Sequence, residues 1–228
     1  LLAAAGSPIA EGLTFSVTSG LKSSFLDRWE AGPEPGDYLI EEALLLALDG
    51  GTTKLGRLLA PLGISEIVLV GRSSPLPSKG QIEPIPSSVE ASLGKQLDLI
   101  RIVASPGIVR YENVSALPAA SVVSDGHAVG RSLRSFASDP LPEKGTALTP
   151  KNHSATSYSG FVERDSEIFL SVPSTSTWKL SVDGVMVQQE TALEWAVGFQ
   201  PEFSGAIELS HVTPSKHRIV ILLQAFLW

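Results

Sequence analysis

The chain has 228 residues, 43% hydrophobic and only 18% charged, with 16 prolines, 20 glycines and no cysteine. This is the composition of a folded, turn-rich protein with material for one large or two small cores and no disulfide or thiolate metal site. A formal net charge of −7 and the lack of any Lys/Arg cluster argue against nucleic acid and anionic membrane surfaces as partners, because both need a basic face.

The first six residues, Leu1 to Gly6, have no basic residue ahead of them and do not read as a secretory signal. Residues 7–36 are broken by Pro8, Pro33, Pro35 and several glycines, with Phe25, Leu26 and Trp29 able to pin one short helix onto a core. Asp37 is a good N-cap for a helix over Tyr38–Leu48. That stretch is apolar nearly all round and is therefore expected to be buried. Asp49-Gly50-Gly51 stops it.

The clearest succession of elements comes next. Leu55, Leu58, Leu59 and Leu62 form one helical stripe, with Lys54 and Arg57 on the opposite face and Thr52 or Thr53 available as the cap. Pro61 and Gly63 end the helix and hand over to Ile64–Val70, a strand apolar on both faces and hence expected in the middle of a helix-covered sheet. Ser87 or Ser88 can cap a third helix, with Val89, Leu93 and Leu97 in line, and Leu99–Val103, Ile108–Asn113 and Ser121–Val123 read as further strands. Residues 1–125 are thus expected to form a small mixed α/β unit.

Residues 126–157 hold glycine and proline breaks, many serines and few large apolar side chains, and read as a linker or long loop. From Tyr158 to about residue 218 everything reads as strand. Ile168, Leu170 and Val172 alternate with Phe169 and Ser171, Trp178, Leu180 and Val182 alternate with Lys179 and Ser181, and Asp183-Gly184 marks a tight hairpin. Leu193–Phe199 and Ala206–Val212 supply more strands, so the expectation is an all-β second half, an antiparallel, jelly-roll-like β-sandwich. No internal repeat is present. The apolar run Ile219–Trp228 is too short to span a bilayer, which takes about 20 residues, and is either a packed terminal element or the start of a membrane helix.

No stretch makes a convincing active site. Asp49-Gly50-Gly51-Thr52-Thr53 resembles the phosphate-gripping turn of actin-like sugar kinases, but those turns join strands, and the residues before it here are helical. A C-cap followed by an N-cap is the favoured reading. His127, His153, His211 and His217 lack the spacing of a metal site, no serine lies in GxSxG, and no cofactor fingerprint occurs. The carboxylate pairs Glu41/Glu42 and Asp165/Glu167 read as helix-start and solvated charges. Asn113-Val114-Ser115 and Asn152-His153-Ser154 fit the glycosylation sequon. Of the aromatics in the β half, Tyr158, Phe161, Trp178 and Trp195, the strand alternation assigns Trp178 to the core. Tyr158 and Trp195 are the candidate glycan-binding residues.

The segments Gly50–Val70, Gly94–Ile102, Pro106–Pro118 with its YEN and LP, Ser157–Val162, the STWKLSVDG of Ser176–Gly184, and Leu222–Trp228 together resemble the C-terminal extracytoplasmic region of actinobacterial multispanning family 2 glycosyltransferase membrane proteins. The match departs at Ser65-Glu66, where the family has an aromatic and β-branched run. The resemblance implies a domain at the extracytoplasmic face of the cell membrane, carrying none of the transferase's catalytic residues. Its expected partners are a glycan or lipid-linked sugar and the membrane domain of a parent that makes envelope polysaccharide. The alternatives are a structural interaction module and a sugar-phosphate enzyme using the Asp49–Thr53 turn.

Overall fold

A computed structural model describes residues 35–71, 85–102, 107–123, 145–151, 156–174 and 177–212, together with residues 15, 17, 129 and 132. The expected short helix at Phe25–Trp29 and the apolar run 219–228 lie outside the described residues. The chain divides into two compact units, Leu1–Leu117 and Pro118–Trp228.

In the first unit, α1 spans Pro35–Leu48, so Asp37 falls inside the first turn, where the helix dipole favours its charge, rather than at the cap. The helix is not buried all round. Ile40, Ala43 and Ala47 are buried on one stripe, while Tyr38 and Leu45 face outward. Gly50, at φ 75°, ends it, with the amides of Gly50 and Gly51 donating back to the carbonyls of Ala47 and Leu46. α2 is short, Leu55–Leu59, and runs into a 3-10 turn at Ala60–Leu62 that holds Pro61 and is closed by Gly63 at φ 71°. Every residue from Leu55 to Leu62 is buried, including Arg57, which the stripe alone assigns to the wet side.

Neither Thr52 nor Thr53 caps α2. The cap position is Lys54, whose amide donates to Thr52 Oγ1 at 3.0 Å, and the helix start is satisfied from far along the chain. The amide of Leu55 donates to Gln96 Oε1 at 2.9 Å, and the amides of Gly56 and Arg57 donate to the two Asp98 carboxylate oxygens at 3.0 and 2.6 Å. Asn113 completes the joint by donating from Nδ2 to the carbonyls of Gly56 and Ile64 at 2.7 and 2.8 Å. A Cβ at position 56 would press on Asn113 Oδ1 and sit 2.9 Å from the Asp98 carboxyl carbon, so glycine is required there by close approach.

α3 spans Ser87–Gly94, buries Val89 and Leu93, and leaves Leu97, beyond its end, exposed. Strands β1 (Glu66–Val70), β2 (Leu99–Ile102) and β3 (Ile108–Asn113) form one antiparallel sheet in the order β1-β3-β2. β1 is therefore an edge strand rather than the expected central one. Leu99, Val109 and Tyr111 are buried on one side, whereas Val68, Val70, Ile100 and Ile108 are exposed on the other around the two-pronged Arg110–Glu66 pair, at 2.7 and 2.8 Å. An apolar run cannot by itself distinguish a doubly covered strand from an edge strand with one apolar open face.

The second unit begins earlier than the expected boundary at 125. β4, Ala120–Val123, pairs with β8, Glu167–Pro173, so it belongs with the later strands. Two further short strands, β5 (Thr146–Ala147) and β6 (Thr149–Pro150), lie within the stretch read as a linker. With β7 (Ser157–Val162), β9 (Trp178–Val182), β10 (Val185–Val187), β11 (Glu190–Ala192), β12 (Ala196–Phe199) and β13 (Gly205–His211), they make two antiparallel sheets. The orders are β10-β9-β13-β7-β6 and β11-β12-β8-β4-β5. One core cluster draws on both: Val122, Ile168, Leu170, Val197 and Phe199 from the second sheet meet Leu180, Val182, Ile207 and Leu209 from the first. The fold is thus a mixed α/β unit followed by a β-rich unit. The Asp183-Gly184 hairpin forms as read, joining Val182 to Val185 with φ 46° and 83° at the two turn residues.

Candidate functional site

The two sheets of the β unit differ in how they meet solvent. In the β11-β12-β8-β4-β5 sheet the central strands are buried on both faces: Ser121, Val123, Glu167 and Phe169, which alternate with the core residues, are also buried. Val129 contributes to that cover. Its amide donates to Glu167 Oε2 at 3.2 Å, it bridges Ala192, and its side chain fills the space beside Gly198. Glu167 is accordingly a buried carboxylate and not a solvated one. In the other sheet the alternation is one-sided, with Ile207 and Leu209 buried and Ala206, Glu208 and Ser210 exposed on the central strand β13.

That open face is mostly polar. Across it, Thr149, Ser159, Glu208, Ser181 and Met186 lie opposite one another on β6, β7, β13, β9 and β10, a row of roughly 19 Å at the usual strand spacing. Ser157, Ser210 and Lys179 form the next row, and Phe161 lies on the other side of the first, opposite Ala206. Phe161 is 62% exposed. Its cross-strand neighbour is too small to cover it, so the ring stands free on the sheet. Lys151 Nζ sits 2.6 Å from Glu208 Oε1, and this hydrogen bond holds the Glu208 carboxyl below its ordinary value of 4.5.

Tyr158 and Trp195 lie elsewhere. Tyr158 is half-buried, on the core side of β7, with its ring 6.1 Å from that of Trp178, which in turn meets His211 edge-on at 5.3 Å. Burial pushes the Tyr158 hydroxyl above its ordinary 10.0. Trp195 is 6% exposed, in the turn between β11 and β12, and its indole N–H is buried without a hydrogen-bond partner among the described residues. A ring so placed belongs to the packing and offers no stacking platform. The two residues are joined only indirectly: Gln189 accepts from the Trp178 amide and donates to the Ser174 carbonyl, while the Ser174 amide donates to the Trp195 carbonyl. Both therefore sit toward one end of the β unit, while Phe161 stands on its side. The signal for Phe161 is the alternation of Ser157–Val162, which sets it opposite in parity to Tyr158 and Val162.

Other sequence candidates resolve locally. Asp49–Thr53 joins two helices: its first residues close the end of α1, as the periodicity suggests, whereas the N-cap of α2 is Lys54 and not a threonine. Asn113 is buried with its amide engaged, so its sequon is not open to glycosylation in the folded unit, and Asn152 lies outside the described residues. His127, His153 and His217 also lie outside them. Among the described residues no group of three or more His, Cys, Asp or Glu is placed to hold a metal, and no helix is long and apolar enough to cross a membrane. Compared with protein-family models, curated proteins and solved structures, the chain matches none.

Proposed function

We propose that this chain is a non-catalytic, extracytoplasmic part of a membrane glycosyltransferase-like protein of cell-envelope polysaccharide synthesis, and that its β unit binds the glycan or its lipid-linked acceptor. The observation that carries the glycan reading is the open face of the β10-β9-β13-β7-β6 sheet, where hydroxyl side chains and one free aromatic ring take the place of an apolar or basic surface. The order of segments that resembles the outer region of such transferases supplies the membrane and envelope context. The test is to screen the 228-residue chain against an array of bacterial envelope polysaccharides. Binding to one structural class supports the reading, and silence across the array removes it.

A second reading, an interaction module, is favoured by the apolar side of the β1-β3-β2 sheet, where Val68 and Ile100 are 45% and 54% exposed. Here the partner is the membrane portion of the same parent. Co-purification of the two portions, lost in a Val68→Asp/Ile100→Asp variant that remains folded, would favour it.

A further inference from the structure

We propose that the glycan site is the open face itself, with Phe161 as the stacking platform and Ser159, Ser181, Ser210, Glu208 and Lys151 as its hydrogen-bonding floor, and that the ligand is a neutral polysaccharide strand lying across the sheet. The inference rests on the glycan reading above and places the site away from Tyr158 and Trp195.

The chemistry of the face narrows its occupant. A protein partner needs an apolar centre depleted of charge, and the large apolar side chains exposed here are Phe161 near one end and Met186 on the edge strand β10. A polyanion needs several free cations in register; Lys151 is already paired with Glu208, which leaves Lys179 as the other cation among the described residues of the face. A neutral sugar chain presents the complementary pattern: the C–H face of a ring for Phe161, and hydroxyls that both donate and accept for the serines. Glu208 keeps its charge to a lower pH than an ordinary glutamate because of its partner, and can accept from two hydroxyls while Lys151 donates to a third. The sheet is also a rigid support. Tyr158, Gly160 and Val162 of β7 face Leu209, Ile207 and Gly205 of β13, so the strand that carries Phe161 is paired along its length on the side of the core.

The measurement is the affinity of the 228-residue chain and of Phe161→Ala, Phe161→Tyr and Tyr158→Ala variants for array polysaccharides, neutral and acidic, with circular dichroism as the folding control. The expected result is binding to neutral polysaccharides, weakened about tenfold or more by Phe161→Ala and kept by Phe161→Tyr and Tyr158→Ala. Binding that survives Phe161→Ala but is lost in folded Tyr158→Ala moves the site to the end of the β unit, overturning this inference while leaving the glycan function intact. Binding to acidic polysaccharides alone overturns the neutral assignment. Silence of the parent chain across the array overturns both.

Discussion

The carboxylate of Asp98 closes the amino end of a helix that begins more than forty residues earlier, accepting from the amides of Gly56 and Arg57 at 3.0 and 2.6 Å. A helix of five residues has too few internal bonds to stand alone, and the side chains that cap it come from the connection between α3 and β2.

Asp98→Ala is expected to leave two buried amides without acceptors and to lower stability by about 2–6 kcal/mol, at roughly 1–3 kcal/mol for each buried amide left unsatisfied. Asp98→Asn, which keeps one acceptor, should fall between the two. Chemical denaturation followed by far-ultraviolet circular dichroism checks this, and an unchanged midpoint in Asp98→Ala would mean that water replaces the carboxylate without loss.

Leu193 and Glu194 both adopt left-handed backbone, at φ 51° and 67°, in the turn between β11 and β12. Leu193 is fully buried, which explains why a bulky residue is kept there, but Glu194 is exposed. Glu194→Gly removes about 1–2 kcal/mol of backbone strain but costs roughly 0.5–1 kcal/mol through the greater entropy of the unfolded chain, so a net gain of up to about 1.5 kcal/mol is expected as a rise in Tm. Asp183→Gly should not behave in this way. Although Asp183 also has positive φ, its carboxylate accepts from the Ala206 amide at 3.0 Å.

Trp195→Ala empties a buried site and should cost about 3–5 kcal/mol. Trp195→Phe discards part of the ring but also the unpartnered indole N–H, and should cost less than about 2 kcal/mol. Equal losses in the two variants, measured by urea unfolding, would show that the N–H has a partner. Any fall in glycan binding by Trp195→Ala has to be compared with its stability before it is assigned to contact.

Tyr111 and Tyr158 are both held above the ordinary tyrosine value of 10.0, chiefly by burial. Burial disfavours the phenolate, so the folded state keeps these protons longer than the unfolded chain does. The associated stability is full below the unfolded value and is lost as pH rises through the folded one. Ultraviolet titration should show late-titrating tyrosines that disappear in Tyr111→Phe and Tyr158→Phe, and Tm should fall as pH rises past about 10. A single transition at the ordinary value would contradict the burial of both rings.

The parts of this fold legible in sequence are those decided by near neighbours. Gly50 and Gly63 end their helices, Asp183-Gly184 turns its hairpin, and alternation places Trp178, Leu180 and Val182 inside. Contacts made at a distance are hidden. Arg57 lies on the polar face of its own helix and yet is buried, with its amide held by Asp98 from far along the chain, and β1 reads as central because its apolar open face looks the same in one dimension as a covered one. For the candidate site the same division holds. The parity of Phe161 can be read from β7, but its exposure depends on Ala206 across the sheet, and the burial of Trp195 depends on a turn with no glycine to announce it.

The carbonyl of Ala119 accepts from the Ser171 amide at 2.9 Å, two residues beyond Leu117, whose own amide still donates to Ala60 in the first unit. The boundary between the units therefore falls at Pro118, and β4 belongs with β8. Anyone transplanting or excising the β unit has to cut before Pro118. A cut at the composition change near residue 125 would strip β8 of a neighbour and leave a raw backbone edge, the kind of surface on which separate chains stack into aggregates.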